Sequence, residues 1–228
     1  MESIVMFGPR TVDEFVRRQK KGGSFEADLE QRRKVRIGVV DDEPFQPLNN
    51  LHNQGYSVAY IGNVDRADIT QEYDIVLCDI NGVATGLNKE EQGAALLSEI
   101  RRNYPQKYLI VYSGLSGRAK AMRLAKQRAD KYIPKSVSMD IWLQELDSAI
   151  KVTLDPKSVW EKTRKTLVDS DVNAEDVARI ERAYVKSLSS QKRKHMDQLK
   201  NNFEADPMVQ NVISGLISSA IFRIAIGV

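Results

Sequence analysis

The chain has 228 residues, 42% of them hydrophobic and 29% charged, with a formal net charge of +3 and a mean hydropathy of −0.41. This composition suits a globular protein with one core of ordinary size plus a smaller unit, and it excludes a disordered or fibrous chain. One cysteine and two histidines exclude a disulfide scaffold, a thiolate zinc cluster and a multi-histidine metal site.

Three regions differ in pattern. Residues 1–33 read as a helical arm. Val12, Phe15 and Val16 recur at helical spacing between Thr11 and Lys21, and Gly22-Gly23 should end that helix before a charged run, Glu30 to Arg36. Met1-Glu2-Ser3 opens no long apolar stretch, so a cytoplasmic location is expected. Residues 34–151 alternate strand-like and helix-like segments. The strand-like runs are Val35 to Val40, Tyr56 to Ile61, Asp74 to Cys78, Tyr108 to Tyr112 and Lys131 to Ile133. They are nearly continuous in apolar residues, as strands covered on both faces are. Helical patterns follow at Ala94 to Asn103, Arg118 to Ala129 and Asp140 to Lys151, the last placing Trp142, Leu146 and Ile150 on one side. This order predicts an α/β fold: a doubly wound, five-stranded parallel sheet, with chemistry gathered outside the carboxyl ends of its strands.

Residues 152–228 read as an all-helical extension. Lys157 to Val168 is one helix, and Asn173-Ala174-Glu175-Asp176 looks like the start of another. Val177, Ile180, Tyr184, Leu188 and then Met196, Leu199 and Phe203 suggest a helix of about thirty residues, which would pair with a copy of itself as a homodimer. After Asp206-Pro207, Met208 to Val228 holds one charge, Arg223, and is expected to be a buried packing or dimer helix. A membrane span is disfavoured because Gln210, Asn211 and several serines dilute it. The net charges of the three regions are +1, 0 and +2, so only Lys192-Arg193-Lys194-His195 is densely basic. Without a tight turn visible between Asn173 and Asn202, a nucleic-acid reader is possible but not favoured. No phosphate-binding glycine loop, glutamate-histidine signature or nucleophile elbow occurs in this region, which reads as a helical interaction or dimerisation module.

The polar residues of the middle region sit at strand ends. Asp41, Asp42 and Glu43 close the first strand, Asp79 the third and Ser113 the fourth, and Lys135 follows the fifth. Carboxylates converging in one crevice repel one another and demand a cation, for which hard oxygen donors favour Mg²⁺. A hydroxyl and an ammonium opposite would suit an incoming phosphoryl group. Cys78, next to Asp79, should point into the core, and His52 and His195 read as surface residues.

Four segments in this order resemble the receiver domain of bacterial two-component response regulators: Val39-Val40-Asp41-Asp42-Glu43-Pro44, Leu77-Cys78-Asp79-Ile80, Val111-Tyr112-Ser113-Gly114 and Tyr132-Ile133-Pro134-Lys135-Ser136. The resemblance covers about residues 34–151 and implies a receiver-type, flavodoxin-like strand order. It implies that Asp79 accepts a phosphoryl group from a histidine kinase or phosphotransfer protein. Asp42 would bind Mg²⁺ directly, Asp41 through water, and the Asn81 carbonyl would complete the protein ligands. Ser113 and Lys135 would contact the phosphoryl oxygens, and Tyr132 would turn inward with Ser113 as the switch. The output would be protein–protein interaction of the C-terminal helices; a DNA-binding regulator and a constitutive scaffold are the alternatives. The sequence departs from the family in a first helix shortened near Pro44 and Pro47, a second helix reduced to little more than a turn between Gly62 and Tyr73, and a glycine-bearing loop from Asn81 to Gln92 suggesting a flap.

Overall fold

The computed structural model describes residues 8–19, 28–114, 119–203 and 206–227; Gly22-Gly23 and Arg118 lie outside them. Five strands, β1 (Arg36–Val40), β2 (Ser57–Tyr60), β3 (Ile75–Cys78), β4 (Tyr108–Ser113) and β5 (Lys131–Pro134), form one sheet in the order β2-β1-β3-β4-β5. Every neighbouring pair is parallel. This is the doubly wound arrangement expected from the alternating pattern, with its order reversing beside β1.

Strand alternation builds two cores. Ile37, Val39, Leu77, Ile110 and Tyr112 face α3 (Leu48–Asn53) and α6 (Met139–Thr153), and Trp142, Leu146 and Ile150 of α6 are buried against them. Val40, Val76, Cys78 and Val111 face α4 (Gly93–Asn103) and α5 (Ala119–Arg128). The first two crossovers are short as anticipated: α3 has six residues, and a single 3₁₀ turn, Ala67–Thr70, replaces the next helix.

The N-terminal arm is divided between the two units. Helix α1 (Val12–Gln19) buries Val12 and Phe15 in the C-terminal core, and the Val12 amide donates to Glu181 Oε1 at 3.0 Å. Helix α2 (Leu29–Lys34), within the run read only as charged, is capped by Asp28 and held to α6 by Arg32, which makes a bidentate pair with Asp147 at 2.6 and 2.8 Å.

In the C-terminal region, α7 (Pro156–Asp169) starts at a proline behind the cap Asp155. The expected thirty-residue helix is broken: α8 (Ala174–Ser190) ends at Gln191, whose backbone is left-handed (φ 54°, ψ 36°), and α9 (Lys194–Asn201) starts three residues later. The tight turn that the sequence did not reveal is therefore present at Gln191–Arg193. Its cause is tertiary, since folding back lets Met196 and Leu199 join the core containing Trp160, Tyr184 and Leu188. The last segment is likewise two helices, α10 (Pro207–Ser218) and α11 (Ala220–Ile226), bent by 56°. The bend turns α11 back onto the sheet, where Ala220 and Ile224 enter the α3–α6 core. Arg223 there grips Asp74 with two bonds, 2.8 and 3.0 Å. Among the described residues no single helix is long and apolar enough to cross a membrane, though this bent pair passes by length and composition.

Candidate functional site

The carboxyl ends of β1, β3, β4 and β5 lie side by side because the register pairs Val40 with Cys78, Cys78 with Val111 and Ser113 with Pro134. β1, β3 and β5 therefore deliver their next residues, Asp41, Asp79 and Lys135, to one crevice, and β4 its last, Ser113. Asp41 and Asp79 are almost fully buried there, and Asp42 is exposed at the rim. Each of the three carboxylates offers an oxygen within 4.8 Å of the others. The set is anionic, crowded and all oxygen, which fits a hard divalent cation.

Lys135 bridges the two buried acids, with its Nζ 2.9 Å from Asp41 Oδ2 and 2.7 Å from Asp79 Oδ2. Burial opposes its charge, but the pairs with Asp79 and Asp41 outweigh this and raise its pKa. Asp41 Oδ1 accepts the Glu43 amide at 3.0 Å, and its Oδ2 also accepts the Tyr112 hydroxyl at 2.6 Å. Burial pushes the Asp41 pKa up, yet bonds from Tyr112, the Glu43 amide and Lys135 carry it below the ordinary carboxylate value. Asp79 Oδ1 accepts the Ile80 amide at 2.6 Å.

The loop after Asp79 is packed. Val83 and Ala84 are fully buried, the Ala84 amide donates to Asn63 Oδ1 at 2.8 Å, and the Gly86 amide to Asp65 Oδ1 at 3.0 Å. The segment expected as a flap is thus a wall, pinned by the short β2–β3 connection. Gly82 (φ 78°) lets the Asp42 carboxylate lie against the backbone, where a Cβ would fall 2.0 Å from Asp42 Oδ2. Helix α4 starts equally close: a Cβ on Gly93 would lie 2.1 Å from the Asp79 carbonyl.

Of the residues anticipated from the sequence, Asp41, Asp42, Asp79 and Lys135 converge. Ser113 is buried beside them, with Asn81 Nδ2 3.5 Å from its Oγ, so Asn81 turns its side chain toward the hydroxyl. Tyr132 is half-buried at the edge of the α4–α5 core, with Lys126 Nζ 4.0 Å from its ring centroid. Cys78 is buried as expected, its Sγ 3.0 Å from the Asp79 carbonyl; burial and the charges of Asp79 and Asp41 push its thiol pKa up.

Sequence reasoning missed Tyr112 as a member of the centre, treating it as a core strand residue. The available signal was its phenol at the end of a strand, where an aromatic body can be buried while its tip reaches the crevice. A cleft of about 310 Å³ opens onto the centre, lined by Asp41, Lys135, Pro44, Phe45, Tyr112 and Trp142 among others.

No protein-family model and no curated protein matches the sequence. The fold is similar to solved structures of response regulators. A receiver domain from Methanospirillum hungatei is 22% identical over 51% of this chain and 94% of its own, with a TM-score of 0.40. Full-length FixJ from B. japonicum is 15% identical over 85% and 98%, with a TM-score of 0.43. A Burkholderia pseudomallei response regulator, described with a phosphorylated aspartic acid, a calcium ion and citrate, is 17% identical over 72% and 97%, with a TM-score of 0.40.

Proposed function

We propose that this chain is a phosphorylation-switched response regulator, with Asp79 taking a phosphoryl group from a histidine kinase or phosphotransfer protein in a Mg²⁺-dependent reaction. The observation that carries this reading is the convergence of three carboxylates within 4.8 Å, with Lys135 bridging the two buried ones. Mg²⁺, held by Asp41, Asp42 and Asp79 with Asn81 nearby, would neutralise the charge of carboxylates and incoming phosphoryl oxygens.

The remaining work falls to the protein. A carboxylate oxygen of Asp79 attacks phosphorus as the donor's N–P bond breaks, and the imidazole leaves with the bonding pair. Asp79 is oriented for this by the Ile80 amide on one oxygen and Lys135 on the other. Lys135, which bridges Asp41 and Asp79, would pair with one phosphoryl oxygen, and the Ser113 hydroxyl would donate to another. The acyl phosphate adds close to two negative charges beside a buried, hydrogen-bonded network, which is the perturbation a switch needs. Output then runs through protein–protein contacts of the C-terminal helices, either with a downstream partner or with a second copy.

The test is incubation with acetyl phosphate and Mg²⁺, read by intact mass and sizing chromatography. Wild type should gain one phosphoryl group and Asp79→Asn none; equal gain on both would sink the assignment. A second reading, a DNA-binding output, is favoured by one observation. Residues 182–203 carry six basic side chains against one acid in a chain whose net charge is only +3. The α8–α9 turn displays Lys192, Arg193 and Lys194 to solvent. Salt-sensitive binding to duplex DNA would support it, and no binding at low salt would remove it.

A further inference from the structure

Asp41 is more heavily committed than a metal ligand alone would need. Its Oδ2 accepts both the Tyr112 hydroxyl and Lys135, while its Oδ1 accepts the Glu43 amide. A carboxylate has about four lone-pair sites, so three are occupied, and a cation entering the crevice shares this carboxylate with the donors already on it. Lys135 and the Glu43 amide belong to the crevice itself. Tyr112 leads out of it.

The Tyr112 ring is 1% exposed and meets two other rings edge-on: Phe45 at 5.3 Å and Trp142 at 6.0 Å. Phe45 and Trp142 close the triangle at 5.5 Å. Trp142 sits in the first turn of α6, which leads through Leu154 and Asp155 directly into α7. There Trp160 stacks on Tyr184 in the C-terminal core. Close-packed rings cannot absorb a displacement individually, so a shift of Tyr112 is passed on as a shift of its neighbours. Tyr132, by contrast, lies beneath Lys126 on the other face of the sheet.

We propose that Tyr112 is a positioning residue that fixes the Asp41 carboxylate and hands the state of the acidic centre to Trp142 and helix α6. What the centre binds rests on the function proposed above; the coupling rests on the ring geometry.

The experiment uses the full chain grown with 5-fluorotryptophan, which has only two tryptophans to label. Their ¹⁹F resonances are assigned with Trp160→Phe and, independently, Trp142→Phe. Mg²⁺ alone is titrated, and binding is followed in parallel by calorimetry. The Trp142 resonance should move saturably in wild type. Tyr112→Phe keeps the ring triangle but should bind Mg²⁺ about tenfold more weakly, as loss of a ligand-orienting hydrogen bond does. At saturating Mg²⁺ its Trp142 shift should fall below about a third of the wild-type value.

A full shift retained in Tyr112→Phe overturns the proposal, whatever its affinity. So does a wild-type Trp142 resonance that ignores Mg²⁺. Acetyl phosphate added to the same wild-type sample and read by mass judges the function separately. A chain that is phosphorylated while Trp142 stays still keeps the function and loses the coupling. One whose Trp142 responds but takes no phosphoryl group does the reverse.

Discussion

The sheet unit and the helical unit obey different rules. In the sheet, the strands are short, buried on both faces and locked in parallel register, so a residue one step past a strand end has only one place to go. Asp41, Asp79 and Lys135 arrive at the same crevice for that reason. In the helical unit, Gln191 and Ser219 bend the chain where nothing in the apolar spacing requires a break. The bends bring Leu199 into the helical core and Ala220 into the sheet core. Chemistry is therefore coded locally in one half, and shape is decided by packing in the other.

The sharpest way to break this comparison is at the junction of the two units. Arg223 lies on α11, and its partner Asp74 precedes β3 with a nearly inaccessible side chain. Arg223→Met would leave that carboxylate without its charge partner and should cost about 3 kcal/mol or more. Urea unfolding checks both the size and the form of the effect. A single shifted transition means that the units fold as one; an early separate transition would make the helical unit independent.

A second measurement sharpens the junction through pH. Lys107 is 2% exposed, donates to the Gln71 carbonyl at 3.0 Å and also to the Tyr73 carbonyl. Burial lowers its pKa to about 7. Because the folded chain releases this proton more readily than the unfolded one, native stability should rise as pH climbs from 7 toward 10, by up to about 1.4 kcal/mol per unit. In Lys107→Met that slope should vanish. A slope unchanged in the variant would assign it to other groups.

The smallest effect tests the helix break. At the left-handed Gln191, Gln191→Gly should stabilise the chain by up to about 1 kcal/mol, whereas the same change within a continuous helix would cost about as much. The sign of the change in urea midpoint separates the two.

Much of the site was legible in the residues. Strand ends rich in acids, a serine and a lysine announce an oxygen-lined crevice whatever the surrounding helices do. Tyr112 was not, because alternation gives a side chain's face and not how far its tip reaches. Nor was the pinned loop after Asp79, since its rigidity comes from Asn63 and Asp65, about twenty residues earlier in the chain.

By itself the sequence determined the parallel sheet, the covering of both its faces, and the acids, serine and lysine that stand at the carboxyl edge. Those follow from runs and periods that operate over a few neighbouring residues. Only the tertiary structure decided where α8 and α10 stop, that α1 joins the C-terminal core, and that Arg223 reaches back to Asp74. These depend on contacts between residues far apart in the chain, where burying an apolar side chain or pairing a charge outweighs the weak local preference for one more helical turn.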